Sequence, residues 1–137
     1  MLKFRVVFPD NYPSAMPEVY FETKVFHPLV EERFGHLQLR KDFGEWKHGK
    51  HWLIQVLLYL KKIFHLEKYY SLDGAADMAL NRQALSLYRD NFEGFVDRCI
   101  ECTEKSVRDQ FREEAGSFRL YDKSVNRDKI QVKVESF

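Results

Sequence analysis

Along "LKFRVVF" the apolar positions alternate: Leu2, Phe4, Val6 and Phe8 fall on one side of a period-two pattern and Lys3 and Arg5 on the other, until Pro9 removes a ladder donor. The pattern predicts a half-buried strand. Three prolines and the Asp10–Asn11 pair break it in "PDNYPSAMP", and "EVYFET" restores it with Val19 and Phe21 facing together, so two adjacent antiparallel strands are expected. At Trp52 the period changes. Trp52, Leu53, Val56, Leu57, Leu60, Ile63 and Phe64 recur at spacings of three and four, one apolar stripe along a helix that faces a sheet or core. "YYSLDGAADMALNR" holds a glycine break and an aspartate suited to a helix start. A second helical pattern follows through Leu85, Tyr88, Phe92, Phe95, Cys99, Cys102 and Phe111. Gly94 sits inside it, at a cost of about 1 kcal/mol relative to Ala in a helix interior. After Gly116 the chain turns mixed and polar. "KIQVKVESF" then alternates Ile130, Val132 and Val134 with Gln131, Lys133 and Glu135, which predicts a short strand over 129–135. Strands first and helices after, with no repeat or low-complexity segment, define an α+β chain.

Composition narrows the functional classes. The 137 residues, 45% hydrophobic and 31% charged, suit a single domain with a real core. Lys and Arg number 22 against 21 Asp and Glu, a formal charge of +1, so nothing in bulk draws the chain to nucleic acid or an anionic membrane, and partners are expected to be recognised by shape. Two cysteines cannot build a disulfide framework, which points to a reducing compartment. The longest apolar run, "WLIQVLLYL", falls well short of the roughly 20 residues that span a bilayer, and "MLKFRVVF" reads as a strand rather than a signal peptide. A soluble, cytoplasmic protein without membrane insertion is the expectation.

The stretch with the most chemistry is "FHPLVEERFGHLQLRKDFGEW", positions 26–46: a histidine-proline pair, a glycine turn, a short strand and a tryptophan. Together with the preceding "FRVVFPDNYPSAMPEVYFETKV" and the helix after Trp46, it resembles the ubiquitin-conjugating (E2) enzymes, several spaced elements occurring in the right order. "VFHPLV", the Phe43-x-x-Trp46 spacing, "WLIQVLLYLKKIF" and "LNRQALSLYRDNFEGFVDRCIECTEKSVRDQF" are similar to the Fused Toes, or Akt-interacting protein, branch of the E2 variants. The resemblance covers positions 2–112. It implies a ubiquitin-conjugating-enzyme-like fold, an antiparallel meander sheet with C-terminal helices, here lacking the usual first helix and first strand. It also implies a truncated E2-variant domain over 1–112 and a C-terminal extension over 113–137.

Active members of that family carry a His-Pro-Asn turn and, after the glycine, a cysteine that holds ubiquitin as a thioester. The corresponding positions here read His27-Pro28-Leu29 and Gly35-His36-Leu37-Gln38-Leu39, which puts Gln38 where the resemblance wants sulfur. A thioester needs a thiolate, both nucleophile and leaving group, and a carboxamide is neither. The family's asparagine stabilises an oxyanion during lysine attack, and Leu29 has no donor to offer it. The loop is one residue longer than the common spacing, but His36, Leu37 and Leu39 are not cysteine either. An inactive E2 variant is the expectation, with no catalytic residue (lost site: Leu29 and Gln38), no cofactor and no metal. What the branch implies is an adaptor joining Hook-type coiled-coil proteins in a vesicle-trafficking complex. The alternative is a non-catalytic cofactor that binds ubiquitin or an active E2 during chain assembly.

Other residues invite sharper readings. Cys99 and Cys102 share a helix face, but a zinc site wants four ligands and a redox pair a helix N-terminus, so two buried helix-face cysteines on the far side of the domain are expected. His48 and His51 in "KHGKHW" sit among lysines without carboxylate or thiol, the pattern of a solvated basic loop. The resemblance implies that His27 braces its turn through backbone hydrogen bonds. The resemblance implies that Trp46 packs under the active-site loop, and periodicity has Trp52 open the apolar helix stripe. Tyr69, Tyr70, Phe118 and Tyr121 lie outside clear core periodicity and are the candidate partner contacts. With no strand before "LKFRVVF", that strand's outer edge is expected to recruit "KIQVKVESF" or a partner strand.

Overall fold

The computed structural model describes residues 2–65, 72 and 75–124, positions 75 and 114–124 by their backbone alone. The chain divides into two compact units, Met1–Thr103 and Glu104–Phe137. The elements in chain order are β1 (Phe4–Val7), β2 (Glu18–Phe21), α1 (Arg40–Phe43), α2 (Leu53–Ile63), a 3-10 turn (Ala75–Asp77), α3 (Arg82–Asp90) and α4 (Phe92–Ser124). The strand expected over 129–135 lies outside the described residues.

Alternation places β1 and β2 as expected: they pair antiparallel with Phe4 opposite Phe21 and Val6 opposite Val19. The Phe21 N–H donates to the Gly35 carbonyl at 2.8 Å and the Leu37 N–H to the Val19 carbonyl at 2.9 Å, so β2 is a central rail. Residues 29–31 fold back on 36–38, with bridges at Tyr20–His36 and Val30–Leu37. The result is an antiparallel meander. Its buried layer, Val19, Phe21, Leu29, Val30, Leu37 and Leu39, meets Val56, Tyr59, Leu60 and Ile63 of α2.

β1 departs from expectation in its exposure alone, since the segment expected at its outer edge, 129–135, lies outside the described residues. Its outer edge follows from the register: Val19 and Phe21 aim their backbone groups at the third rail, so the residues opposite them, Val6 and Phe4, aim theirs away from β2. No described residue pairs with that edge. Leu2, Phe4 and Phe8, at the margin of the sheet, are exposed rather than half-buried.

The helices follow the sequence with shifts in phase and ends. The buried stripe of α2 is Val56, Tyr59, Leu60 and Ile63, while Leu57 and Phe64, counted in the expected stripe, are exposed. Trp52 does not start the buried stripe either; it sits at the N-cap, 49% exposed, where the Gln55 side chain reaches back to accept its N–H at 2.8 Å. The second helical pattern breaks in two at Asn91. Neither helix starts on an aspartate: Asn81 caps α3 by accepting the Ala84 N–H at 3.0 Å, and Asn91 accepts the Gly94 N–H at 3.0 Å. Gly94 therefore lies in a first turn, where a Cβ would strike the Asn91 amide at 2.6 Å, and its small size makes room for the cap. α4 continues through position 116 to Ser124, because one glycine weakens a long helix by only about 1 kcal/mol.

Candidate functional site

The His27-Pro28-Leu29 turn is built on a buried imidazole. The Leu29 N–H donates to His27 Nδ1 at 3.1 Å, which leaves the proton on Nε2 to donate to the Ile63 carbonyl, 2.9 Å away at the end of α2. Burial holds the His27 pKa down at about 4, so the ring is neutral at physiological pH. This is the bracing role that the resemblance implies. The Pro28 carbonyl accepts the N–H groups of Leu80 and Asn81 at 3.0 and 3.1 Å, which clamps the turn from the α3 side. Leu29 itself is fully buried in the core.

Between the turn and Gln38 the longer loop closes on itself. The Glu31 carboxylate accepts the amide N–H groups of Phe34 and Arg33, bonds that hold its pKa below the usual carboxylate range. Gly35 adopts φ 72°, and a Cβ there would run into the Phe21 carbonyl oxygen. Register is then set by burial: Leu37 and Leu39 point into the core and Gln38 alternates outward. The Gln38 N–H donates to the Leu29 carbonyl at 2.8 Å, so these two positions, nine apart in the chain, are direct backbone neighbours.

The Gln38 carboxamide is engaged at both ends. Its Oε1 accepts the Arg40 N–H at 3.2 Å and its Nε2 donates to the Met78 carbonyl at 3.4 Å. The Tyr59 hydroxyl donates to the Gln38 main-chain carbonyl at 2.7 Å. Tyr59, Met78 and Asn81 were not singled out by sequence reasoning. Only the Asn-before-helix capping signal at Asn81 was there to be read.

The other candidates fall as follows. Cys99 and Cys102 are half-buried rather than fully buried, and their thiols donate to the Phe26 and Lys24 carbonyls at 3.4 and 3.3 Å. They sit against the segment leading into His27, not on a remote face, because α4 packs on that segment through Phe95 against Phe26. Burial pushes the Cys99 thiol up to about 11 and raises that of Cys102, so both are held as protonated thiols at neutral pH. His51 is not simply solvated. Its Nδ1 accepts the Lys47 N–H at 3.0 Å and its ring packs against both Phe43 and Trp46, whereas His48 is exposed. Trp46 is half-buried against the core, its Nε1 donating to the Pro13 carbonyl of the β1–β2 connection at 2.9 Å. Among the described residues no group of three or more His, Cys, Asp or Glu side chains could hold a metal, and no helix is long and apolar enough to cross a membrane. Tyr69 and Tyr70 lie outside the described residues; positions 118 and 121 fall in the α4 backbone, where side chains are not described.

A meander backed by a helix, with a His-Pro turn bonded to the strand after a glycine, defines an E2-like domain. The ubiquitin-conjugating enzyme family model matches residues 1–103, and the chain belongs to that family. A solved structure of a Plasmodium yoelii protein, described as a ubiquitin-conjugating enzyme, superposes with TM-score 0.60 over 76% of this chain and 62% of that one, at 20% identity, a likeness of fold. The chain is 31% identical over its whole length to the crossbronx homolog of Culex quinquefasciatus, covering 55% of that protein. It is 33% identical over 102 residues to human AKT-interacting protein, 74% of this chain and 32% of that one. These similarities identify an E2 variant of the Fused Toes branch. The chain spans about half the length of the crossbronx homolog and a third of AKT-interacting protein.

Proposed function

We propose that this chain is a catalytically inactive E2 variant that works as a protein-interaction module, a cytoplasmic adaptor in a Hook-containing vesicle-trafficking complex. The observation that carries the reading is the Leu29–Gln38 pair. In it the position proposed for the lost cysteine holds a carboxamide bonded at both ends, and the position proposed for the lost asparagine holds a core leucine. A carboxamide cannot form or release a thioester, so the fold is left with its surfaces. The protonated state of Cys99 supports the same reading. The Hook partner comes from the resemblance to the Fused Toes branch, and the name of the human relative says of that protein that it interacts with AKT. Residues 1–112 form the E2-variant domain of this proposal and 113–137 its extension. Tyr69, Tyr70, Phe118 and Tyr121 are its contact residues.

The test of inactivity is incubation with ubiquitin, activating enzyme and ATP, followed by a non-reducing gel. No reducible adduct is expected, and a band abolished by Cys99→Ser or Cys102→Ser refutes the reading. Stable co-purification with a Hook protein supports the adaptor. Saturable binding of ubiquitin or an active E2 without Hook binding replaces it with the chain-assembly cofactor.

A further inference from the structure

Helix α2 carries two stripes where an ordinary surface helix carries one. Val56, Tyr59, Leu60 and Ile63 occupy i, i+3, i+4 and i+7 and are buried. Ile54, Leu57, Leu58 and Lys61 repeat that spacing on the other side, and there Ile54 is 62% exposed, Leu58 54% and Leu57 39%. A helix that is apolar on two faces is normally covered on both. The second stripe cannot turn inward, because rotating α2 would bring Val56 and Ile63 out and carry Lys61 and Lys62 into the core.

Charge says what kind of surface it suits. Residues 40–65 hold six Lys and Arg against two Asp and Glu, in a chain balanced at 22 to 21. Lys61 and Lys62 close the last turn of α2. Beside Leu58 a cleft of about 300 Å³ opens between α1 and α2, lined by Phe43 and Tyr59 and by two lysines, Lys50 and Lys62, against one carboxylate, Asp42. The salt bridges among the described residues are both on α4, and neither involves Lys50, Lys61 or Lys62.

We propose that the outer face of α2 is a docking site for an acidic amphipathic helix of a partner protein. Its apolar residues lie along Ile54, Leu57 and Leu58, with one filling the cleft, and its carboxylates meet Lys50, Lys61 and Lys62. An anionic membrane matches the charge and the apolar stripe but has no side chain to fill the concavity, so the cleft favours a protein. The inference rests on the reading of the domain as an interaction module and gives that module a contact surface separate from Tyr69, Tyr70, Phe118 and Tyr121.

The test uses the full chain and two synthetic helical peptides of about five turns. Both have leucines at i, i+3, i+4 and i+7, flanked by glutamates in one and by lysines in the other. Trp52, 49% exposed at the N-cap of α2, reports binding by fluorescence. The acidic peptide is expected to bind at least tenfold tighter than the basic one. Leu58→Glu should remove binding, and the double variant Lys61→Glu/Lys62→Glu should invert the preference. Circular dichroism and melting curves confirm that these exposed substitutions leave the fold intact. Equal affinity for the two peptides, no binding to either, or binding unchanged by Leu58→Glu overturns the proposal. So does Leu58-dependent capture by phosphatidylserine vesicles, which assigns the face to a membrane, or Leu58-dependent binding of ubiquitin, which assigns it to the cofactor reading. Hook co-purification retained in Leu58→Glu sinks this surface and spares the adaptor, whereas peptide binding without any Hook binding does the reverse.

Discussion

Lowering the pH should destabilise this domain through His27. In the fold its ring is buried, accepts the Leu29 N–H, donates to the Ile63 carbonyl and titrates at about 4, against 6.5 for an ordinary histidine. A depressed pKa means that the unfolded chain takes up the proton first. Above pH 6.5 both states are neutral and His27 introduces no pH dependence. Between pH 6.5 and 4 the unfolded state binds more protons, so stability falls as pH falls, by up to 1.36 kcal/mol per pH unit and about 3 kcal/mol in all. Below pH 4 both states are protonated and the loss levels off. The assay is urea denaturation followed by tryptophan fluorescence at half-unit steps from pH 7.5 to 4, for the wild type and for His27→Gln. Glutamine can replace one or both backbone bonds but does not titrate. The variant should be weaker at pH 7, by about 1–3 kcal/mol for an imperfectly replaced buried bond, and the gap should shrink as the pH drops. A gap that stays constant or widens between pH 6.5 and 4 refutes the buried neutral imidazole.

Three further outcomes test the site. Leu29→Asn puts an unpaired amide in a fully buried position, and denaturation should show a loss of about 3 kcal/mol or more without any ubiquitin adduct; an unchanged midpoint means the turn is looser than described. Gly35→Ala forces a methyl group onto the Phe21 carbonyl at a positive φ, so melting should fall by an amount equivalent to about 2 kcal/mol or more, and a neutral result refutes the tight crossing of loop and β2. With its pKa pushed up to about 11, Cys99 should react with maleimide at pH 7.5 on the order of 100-fold slower than a free thiol, and rapid labelling of Cys102→Ser protein would contradict its burial.

The chain's own pattern was enough for the two paired strands, and the resemblance to the E2 family supplied the rest of the meander and the bracing role of His27. Each is a local matter: alternation writes a strand, and a His-Pro turn followed by a glycine and Gln38 between two leucines writes a hairpin with one outward residue. Where sequence reasoning slipped, the pattern was satisfied in more than one way. Leu57 and Tyr59 both fit a period of 3.6, because α2 is apolar on two sides, and only the sheet decides which side is inside. Leu2 and Phe4 alternate correctly yet stay exposed, since alternation names a face and not what lies against it. The helix starts at Asn81 and Asn91 needed the cap geometry, and the engagement of Gln38 by Met78 and Tyr59 needed chain segments 40 and 21 residues away to be brought together. Covalent chemistry, legible in the order of residues, settles which atoms stand at position 38. What those atoms touch was left to the packed fold, because hydrogen bonds between distant segments and the choice of a buried face arise only once the segments meet.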